Sequence, residues 1–374
     1  MHRPSRRSVW DGLASRPICT KRVSPYHGEM TLYSEPFDAA NKHREEILRQ
    51  IEALIAHERE QAEDRRRAFV QPDHSSPAAY ARSIEPYRRQ FCQMLGWPLT
   101  LDAPTTTPPV RQEAVAEDGL GRISRLWVEA LPGLETYGLL FTPHGEGPFP
   151  LAIAQHGGLG TPELCSGFFG YANYNDMTRR VLRRGVAVFA PQLLLWGDMF
   201  GPEFDRPQID VRLKQLGGSI TALEIWQIRR CLDAFIDRPR IDGDRLGMIG
   251  LSYGGFYTLF TAAVETRLRV ALSSCFFNSR TAYDWPDWTW FNAANTFLDA
   301  EVAALVCPRA LCIEVGQHDE LFDVALAAPE VDKVRAHYER LGLASRFRYT
   351  EHPGVHELDT ADEGIDFFVR HLSG

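Results

Sequence analysis

Residues 245–256 read RLGMIGLSYGGF, an apolar run that ends in Gly-x-Ser-x-Gly and continues with apolar residues at helical spacing. A strand that turns abruptly into a helix strains the residue at the turn, and glycine at positions 250 and 254 lets the two elements pass closely. The pentapeptide alone is weak evidence, because short glycine patterns also arise by chance. A turn at 241–244 before the run and the helical spacing after it favour a strand–turn–helix unit. We therefore predict that Ser252 is a nucleophile.

A serine hydroxyl becomes a good nucleophile only when a base takes its proton and an acid orients that base. Residues 310–315 have the pattern of a buried strand, and Asp319 lies in the turn that follows. Residues 352–357 form a loop before the last helical segment, and this loop carries His356. We predict that Asp319 is the orienting carboxylate and that His356 is the base.

Neighbouring residues compete for both roles. His352 lies in the same loop as His356 and is the alternative base, while Glu320 and Asp323 are alternative acids. His318 comes before the acid and fits neither position well. Asp319 is favoured over the other acids because it is the first one after the strand, and the order Ser, Asp, His is that of α/β-hydrolases.

A glycine-rich segment follows another predicted strand and supplies backbone donors for an oxyanion. Residues 149–155 read as the strand, and the chain then continues as His156–Gly157–Gly158. We predict that the N–H groups of Gly158 and Tyr253 form the oxyanion hole, where each donor contributes roughly 3–4 kcal/mol to the transition state. His156 in such a position more often fixes the loop than takes a proton, and we include it among the substrate-binding candidates.

Four short motifs carry a resemblance to a known superfamily. They are QHGG at 155–158, GLSYGG at 250–255, GQHD at 316–319 and GVHE at 354–357. Together they resemble the α/β-hydrolase superfamily, and within it the dienelactone hydrolase-like and acetyl xylan esterase-like branch. The resemblance extends from about residue 126 to the C-terminus. It implies hydrolysis of carboxylic esters and no cofactor.

Composition bounds the remaining function classes. With 374 residues and 44% hydrophobic content, the chain can form one large core and an accessory segment. A formal net charge of -8 argues against a nucleic-acid partner or an anionic membrane surface. The seven cysteines show no spacing typical of metal ligands, so we expect reduced thiols and no metal site. No long apolar segment or secretory signal is present, which predicts a cytoplasmic protein without membrane contact.

Patterns along the chain predict three parts. Residues 1–30 are rich in arginine, serine and proline without apolar periodicity, and we expect a disordered tail. Residues 31–100 contain two helical patterns, one from Asp38 and one over 77–95, and form a predicted N-terminal helical extension. Residues 101–374 form the predicted catalytic domain.

Strands and helices alternate within this catalytic domain. Residues 123–128 and 136–141 predict an antiparallel entry into a sheet, and from residue 151 strands alternate with helices. This order is typical of an α/β protein with a doubly wound, mostly parallel sheet. Ligands of such a sheet bind at the carboxyl ends of its strands, where Ser252, Asp319 and His356 all fall.

Two apolar loops are predicted to shape a pocket. The first, 191–214, contains Trp196 in a run too apolar for a plain surface connection. The second, the aromatic cap loop at 276–299, contains Trp285, Trp288 and Trp290. Aromatic faces suit sugar rings and aromatic acyl groups, so we predict that these four tryptophans bind substrate. A cap that packs on its own aromatic residues is the equal alternative.

These features together predict a serine hydrolase that cleaves a small-molecule carboxylic ester, such as a sugar acetate or an aromatic ester. Ser252 would attack the carbonyl, and water would hydrolyse the acyl-enzyme. A peptidase or thioesterase on the same scaffold is the alternative, as is a ligand-binding protein without catalysis. The sequence leaves open whether the chain forms a homo-oligomer.

Overall fold

The computed structural model describes residues 33–102, 106–170, 172–283 and 285–374. The tail predicted at 1–30 lies outside these residues. The chain divides into two compact units, Met1–Ile55 and Ala56–Gly374, so the division falls inside the first helix, α1 (Asn41–Phe69). The first unit, as far as it is described, holds a turn and the beginning of α1. The predicted boundaries near residues 30 and 100 stay predictions.

A nine-stranded sheet forms the centre of the second unit. Its strands are β1 (Val110–Asp118), β2 (Gly121–Leu131), β3 (Leu134–Pro143), β4 (Phe149–Gln155), β5 (Ala187–Pro191), β6 (Ile241–Leu251), β7 (Leu268–Ser274), β8 (Ala310–Gly316) and β9 (Phe347–His352). In space the order is β1-β2-β3-β5-β4-β6-β7-β8-β9. The first three strands are antiparallel, and β3 pairs antiparallel with β5. The remaining strands, β4 to β9, are parallel to one another.

Helices connect the strands. They are α2 (Pro77–Ser83), α3 (Glu85–Leu95), α4 (Pro162–Cys165), α5 (Met177–Leu182), α6 (Arg206–Gln215), α7 (Ile220–Phe235), α8 (Tyr253–Val264), α9 (Ala293–Thr296), α10 (Asp299–Val306), α11 (Val324–Arg340) and α12 (Glu363–Ser373). In the described part of the chain, no helix is both long and apolar enough to cross a membrane. The cytoplasmic location stays a prediction.

Each face of the sheet has its own hydrophobic core, because successive side chains of a strand point to opposite faces. In β8, Leu311 and Ile313 belong to one core and Ala310 and Cys312 to the other. The first core contains residues of α3, α7, α8 and α10, and the second contains residues of α5 and α12. The sheet is therefore covered on both sides, which directs ligands to the carboxyl ends of the parallel strands.

Three local features differ from the predictions. The single helix expected at 77–95 is broken at Ile84, because Pro86 has no N–H to donate and its ring clashes with the preceding turn. Strand β1 was not predicted, since its side chains are almost all exposed and carry no alternating pattern. Helix α6 lies inside the segment predicted as a loop. Its first turn is capped by Asp205, which accepts a hydrogen bond from the Gln208 N–H at 2.9 Å.

Candidate active site

Ser252 lies between the end of β6 and the start of α8, with φ 60° and ψ -122°. A non-glycine residue pays a steric cost in this backbone region, so the surrounding structure must hold it there. The Ser252 N–H donates to the Ser274 carbonyl at 2.9 Å. A Cβ at Gly250 would lie 2.3 Å from the Gly254 carbonyl oxygen, and one at Gly254 would lie 2.0 Å from that of Gln155. Both positions therefore require glycine, as the strand–turn–helix prediction implies.

Asp319 and His356 meet beyond the ends of β8 and β9. The Nδ1 of His356 lies 2.9 Å from the Oδ2 of Asp319. The other carboxylate oxygen accepts hydrogen bonds from the backbone N–H groups of Leu321, at 2.8 Å, and Phe322, at 3.1 Å. Burial raises the pKa of Asp319, but the hydrogen bond and charge of His356 outweigh this effect and lower the pKa below its usual value. A charged Asp319 thus holds the proton of His356 on Nδ1 and leaves Nε2 as the basic nitrogen.

The competing residues have other partners. His352 is 3% exposed, its Nδ1 accepts from the Gly354 N–H at 3.2 Å, and its Nε2 lies 3.6 Å from Cys275 Sγ. Asp323 caps α11 by accepting a hydrogen bond from the Ala325 N–H at 2.8 Å. Glu320 and His318 are exposed. The structure therefore brings together Asp319 and His356, and none of the alternatives.

The loop that carries His356 is anchored by residues that the sequence did not reveal. Asn175 Nδ2 donates to the Leu358 carbonyl at 2.6 Å and to Glu357 Oε2 at 2.9 Å. Arg180 Nη1 donates to the Asp359 carbonyl at 2.6 Å. These partners lie about half the chain away in sequence, and an asparagine in a loop carries no local signal for such a role.

The glycine-rich loop after β4 lies against the Ser252 turn. A Cβ at Gly157 would be 3.1 Å from Ser252 Cβ, and one at Gly158 would be 3.2 Å from Tyr253 Cδ2. The Gly157 N–H donates to the Tyr174 hydroxyl at 2.8 Å, so this amide is already engaged. Tyr253 is the first residue of α8, where a backbone N–H has no partner within the helix. The predicted donors, Gly158 and Tyr253, are thus neighbours beside Ser252.

His156 is hydrogen-bonded within this loop and to its neighbours. It is completely buried, its Nδ1 lies 2.9 Å from the Gly157 carbonyl, and its Nε2 accepts from the Leu193 N–H at 3.2 Å. Gln192 Nε2 lies 3.1 Å from the same nitrogen. Burial lowers the pKa of His156 to about 4, which keeps the ring neutral. Both ring nitrogens are engaged within the protein, and the substrate-binding role of His156 stays a prediction.

The aromatic cap loop is largely packed inward. Trp288 is 1% exposed, and its ring lies 4.7 Å from that of Tyr253, 5.1 Å from that of Phe256 and 4.5 Å from that of Trp285. Trp290 packs on Phe256, with 6.1 Å between ring centroids. Trp288 therefore belongs to the packed cap, and its substrate-binding role stays a prediction.

Trp285 is a second cap tryptophan that packs on Tyr253. Its ring is partly buried and stacks on Tyr253 with centroids 6.1 Å apart. It also lies 6.2 Å from Phe322, whose ring stacks on His356 at 5.7 Å. An aromatic chain therefore runs from Tyr253 to His356, and the substrate-binding roles of Trp285 and Trp290 stay predictions.

A buried charge cluster ties the two pocket loops together. Arg206, at the start of α6, donates to Glu224 Oε2 at 2.7 Å and to Asp287 Oδ2 at 2.7 Å. Tyr253 donates its hydroxyl proton to the same oxygen of Asp287 at 3.0 Å, and Tyr257 donates to Glu224. Burial lowers the pKa of Arg206, but these acids outweigh it and hold the pKa well above its usual value. The cluster fixes Tyr253, the residue after Ser252.

Trp196 lies next to the glycine-rich loop. Its backbone pairs with that of Leu159, and its Nε1 donates to the Pro202 carbonyl at 3.0 Å. The ring is partly exposed, in contrast to Trp288. Its predicted role in substrate binding is compatible with this exposure and stays a prediction.

One group of potential metal ligands lies within the described residues. Ligand atoms of Cys275, Asp319 and His356 all lie within 4.8 Å of one another. Burial raises the pKa of the Cys275 thiol to about 12, so the sulfur keeps its proton and is a poor ligand. Asp319 and His356 are already bonded to each other. These donors suit a hydrogen-bonded catalytic pair better than a metal ion.

Sequence comparison finds two likenesses. The prolyl oligopeptidase family model matches residues 223–301, less than a quarter of the chain. A provisionally assigned hydrolase of Bacillus subtilis (strain 168), YtaP, is 27% identical over 249 residues, which is 61% of this chain and 80% of that protein.

Solved structures share the architecture at low sequence identity. A provisionally assigned acetyl xylan esterase from Bacteroides fragilis NCTC 9343 has a TM-score of 0.60 and 15% identity, over 80% of this chain and 86% of that chain. A glucuronoyl esterase from Solibacter usitatus has a TM-score of 0.57 and 15% identity, over 82% and 98%. Acetyl xylan esterase 1 from Thermoanaerobacterium sp. JW/SL YS485 has a TM-score of 0.53 and 16% identity, over 77% and 93%. The chain therefore has the α/β-hydrolase fold, and the predicted fold class is confirmed.

Proposed function

We propose that this protein is a serine hydrolase that cleaves carboxylic esters, with Ser252 as nucleophile, His356 as base and Asp319 as the orienting acid. The observation that carries the proposal is the 2.9 Å contact between His356 Nδ1 and the buried Asp319 carboxylate. Ser252 occupies the strained turn between β6 and α8 that presents such a nucleophile.

The reaction proceeds in two steps. Ser252 Oγ attacks the ester carbonyl while His356 Nε2 takes its proton, and the imidazolium then gives this proton to the departing alcohol. Water, deprotonated by His356, hydrolyses the acyl-enzyme and restores the serine. The Gly158 and Tyr253 N–H groups stabilise the negative oxygen in both steps, and a missing donor costs roughly 3–4 kcal/mol.

The substrate proposed is an ester of a sugar or of an aromatic alcohol. The names of the structural neighbours, acetyl xylan esterase and glucuronoyl esterase, support a carbohydrate ester. The aromatic residues around Tyr253 and Trp285 support either class, because they offer flat apolar faces.

A fluorophosphonate probe and an ester panel test the proposal together. We expect rapid labelling of Ser252 in the folded protein and turnover of at least one of short-chain, sugar-acetate, methyl and feruloyl esters. Ser252→Ala should lose both labelling and turnover while circular dichroism shows a native fold. A folded wild-type protein that neither labels nor hydrolyses any ester would favour a ligand-binding protein instead.

A peptidase is the second candidate, and the match to the prolyl oligopeptidase family over residues 223–301 favours it. That segment includes Ser252. The same triad attacks amides and esters, so the alternatives differ in the leaving group that the pocket accepts. Comparing kcat/KM for matched ester and peptide anilide substrates separates them. Faster cleavage of the anilide would replace the esterase proposal.

A further inference from the structure

A cavity lies close to the glycine-rich loop, and Thr161 is one of the residues that line it. It has a volume of about 450 Å³, within the ~300–1,000 Å³ typical of small-molecule sites. We name it the Trp196 cavity. Residues that line it and are used below are Arg125, Tyr137, Glu163, Phe169, Gln192 and Trp196.

The Trp196 cavity is within reach of a substrate bound at Ser252. Gly157 contacts the Ser252 side chain, as the close approach of its Cβ position shows. The Gly160 N–H donates to the Gly157 carbonyl at 3.2 Å, so these residues form a turn whose ends are less than ~7 Å apart. Thr161, which lines the cavity, is one residue further, at most about 11 Å from Gly157. This distance is comparable with the length of a disaccharide.

Polar side chains that line the cavity are hydrogen-bonded to one another, and their charges nearly cancel. The Tyr137 hydroxyl donates to Glu163 Oε1 and lies 3.3 Å from Arg125 Nε, which donates to it. One cation and one anion therefore share a single hydroxyl. Within the described chain, no hydrogen bond engages Arg125 Nη1 or Nη2, or Glu163 Oε2, so the cavity offers both donors and an acceptor.

The aromatic walls are held in place by the backbone. A Cβ at Gly201 would lie 2.6 Å from Trp196 Nε1, so the indole lies directly on this glycine. The Trp196 Nε1–H bond to the Pro202 carbonyl fixes its orientation. Phe169 is 62% exposed and stacks on Phe200, with 5.9 Å between centroids and 20° between the planes. Exposed flat aromatic faces of this size are typical of binding sites.

We propose that the Trp196 cavity binds a neutral sugar ring of the substrate, and this inference rests on the proposed esterase function. Aromatic walls receive the apolar C–H face of the ring, while Arg125, Glu163 and Gln192 bind hydroxyl groups. A fatty acyl chain would leave the charged pair unsolvated and unpaired, which is costly. The carboxylate of a uronate would form an ion pair with Arg125, but it would also be repelled by the Glu163 carboxylate.

Binding of xylotriose, which carries no ester, tests the cavity independently of catalysis. Isothermal titration calorimetry with wild-type protein should show saturable binding. Trp196→Ala and the conservative Tyr137→Phe should each weaken it by about tenfold, and the control Leu216→Ala should bind like wild type, because Leu216 is 75% exposed and lies outside the cavity. Absence of binding in folded wild-type protein, or equal binding by all variants, would overturn the proposal. Tighter binding of glucuronic acid than of xylotriose would overturn the choice of a neutral ring.

Kinetics separate failure of this inference from failure of the proposed function. Trp196→Ala should lower kcat/KM for an acetylated xylo-oligosaccharide about tenfold more than for p-nitrophenyl acetate. Ester turnover without xylotriose binding would reject the sugar cavity and retain the esterase. Xylotriose binding without turnover of any ester would reject the esterase and retain the cavity.

Discussion

The aromatic cap loop (276–299) and the loop over 191–205 both carry tryptophans, and these tryptophans differ in their surroundings. In the cap, Trp288 is 1% exposed and packs on other aromatic rings, among them those of Tyr253 and Phe256. In the other loop, Trp196 is partly exposed at the edge of a cavity, and Met199 is 85% exposed. The first loop thus stabilises the fold near the nucleophile, and the second borders open space.

Buried charges help to explain why the two loops differ in how tightly they are packed. The cap is held at two points, by Arg206 with Asp287 at 2.7 Å and by Arg280 with Asp299 at 2.6 Å. The loop over 191–205 is held near its beginning, where Leu193 donates to His156 and Leu194 donates to Glu224 of the same charge cluster. Apolar content alone therefore does not indicate whether a loop packs or binds. The ion-pair and hydrogen-bond partners of the charged residues that flank a loop do indicate whether it packs or binds.

The largest expected effect concerns the site between the two loops. His356→Ala should lower kcat/KM for an ester by about 10⁴-fold or more, because it removes the proposed base. His352→Ala is the matched control, since this buried histidine contacts Cys275 and not Asp319. We expect it to lose stability but far less activity. If the two variants were equally inactive while folded, the assignment of the base would need revision.

The next largest effect is expected on stability, from loss of the charge cluster that anchors the cap. Arg206→Met should lower the free energy of unfolding by about 3–5 kcal/mol, because it leaves Glu224 and Asp287 buried without a cation. Arg212→Met, at an exposed position of the same helix, should change it by less than about 0.5 kcal/mol. Urea unfolding measures both. Equal stability of the two variants would show that the cap does not depend on the charge cluster.

The two tryptophans should separate stability from binding. Trp288→Ala should cost about 3–5 kcal/mol of unfolding free energy, since it empties a packed site. Trp196→Ala should cost roughly 1 kcal/mol, because its ring is already partly exposed, and should instead raise KM for a sugar ester. Thermal unfolding and ester kinetics on both variants check this. A reversed pattern would exchange the roles of the two loops.

Acid should weaken the anchor of the 191–205 loop before it affects the cap. The pKa of His156 is lowered by burial to about 4 in the folded protein, against about 6.5 when unfolded. The stability that this residue contributes is complete above pH 6.5 and falls as the pH drops toward 4, because only the unfolded chain takes up the proton. The total is about 3 kcal/mol.

Urea unfolding between pH 7.5 and 4.5 measures this loss. The partly buried His337, whose pKa is also lowered to about 4, adds a similar slope from outside both loops. His156→Gln and His337→Gln should therefore each remove part of the pH dependence. An undiminished slope in His156→Gln would mean that His156 is not buried as a neutral ring in solution.

The sequence was sufficient to predict the class of fold and the identity of the candidate catalytic residues. Strand patterns, glycine positions and the first acid after β8 are local features, and each indicates its structure within a few residues. It did not predict β1, whose exposed side chains lack a pattern, or α6, whose polar sequence resembles a loop.

What only the tertiary structure decided is which long-range partners each side chain meets. Asn175 and Glu357 are 182 residues apart, and Arg206 and Asp287 are 81 apart, yet these pairs hold the His356 loop and the cap. The sequence predicted substrate binding equally for Trp196 and Trp288, since both lie in apolar runs. Their exposure differs because it depends on what packs against each ring, and those contacts come from distant parts of the folded chain.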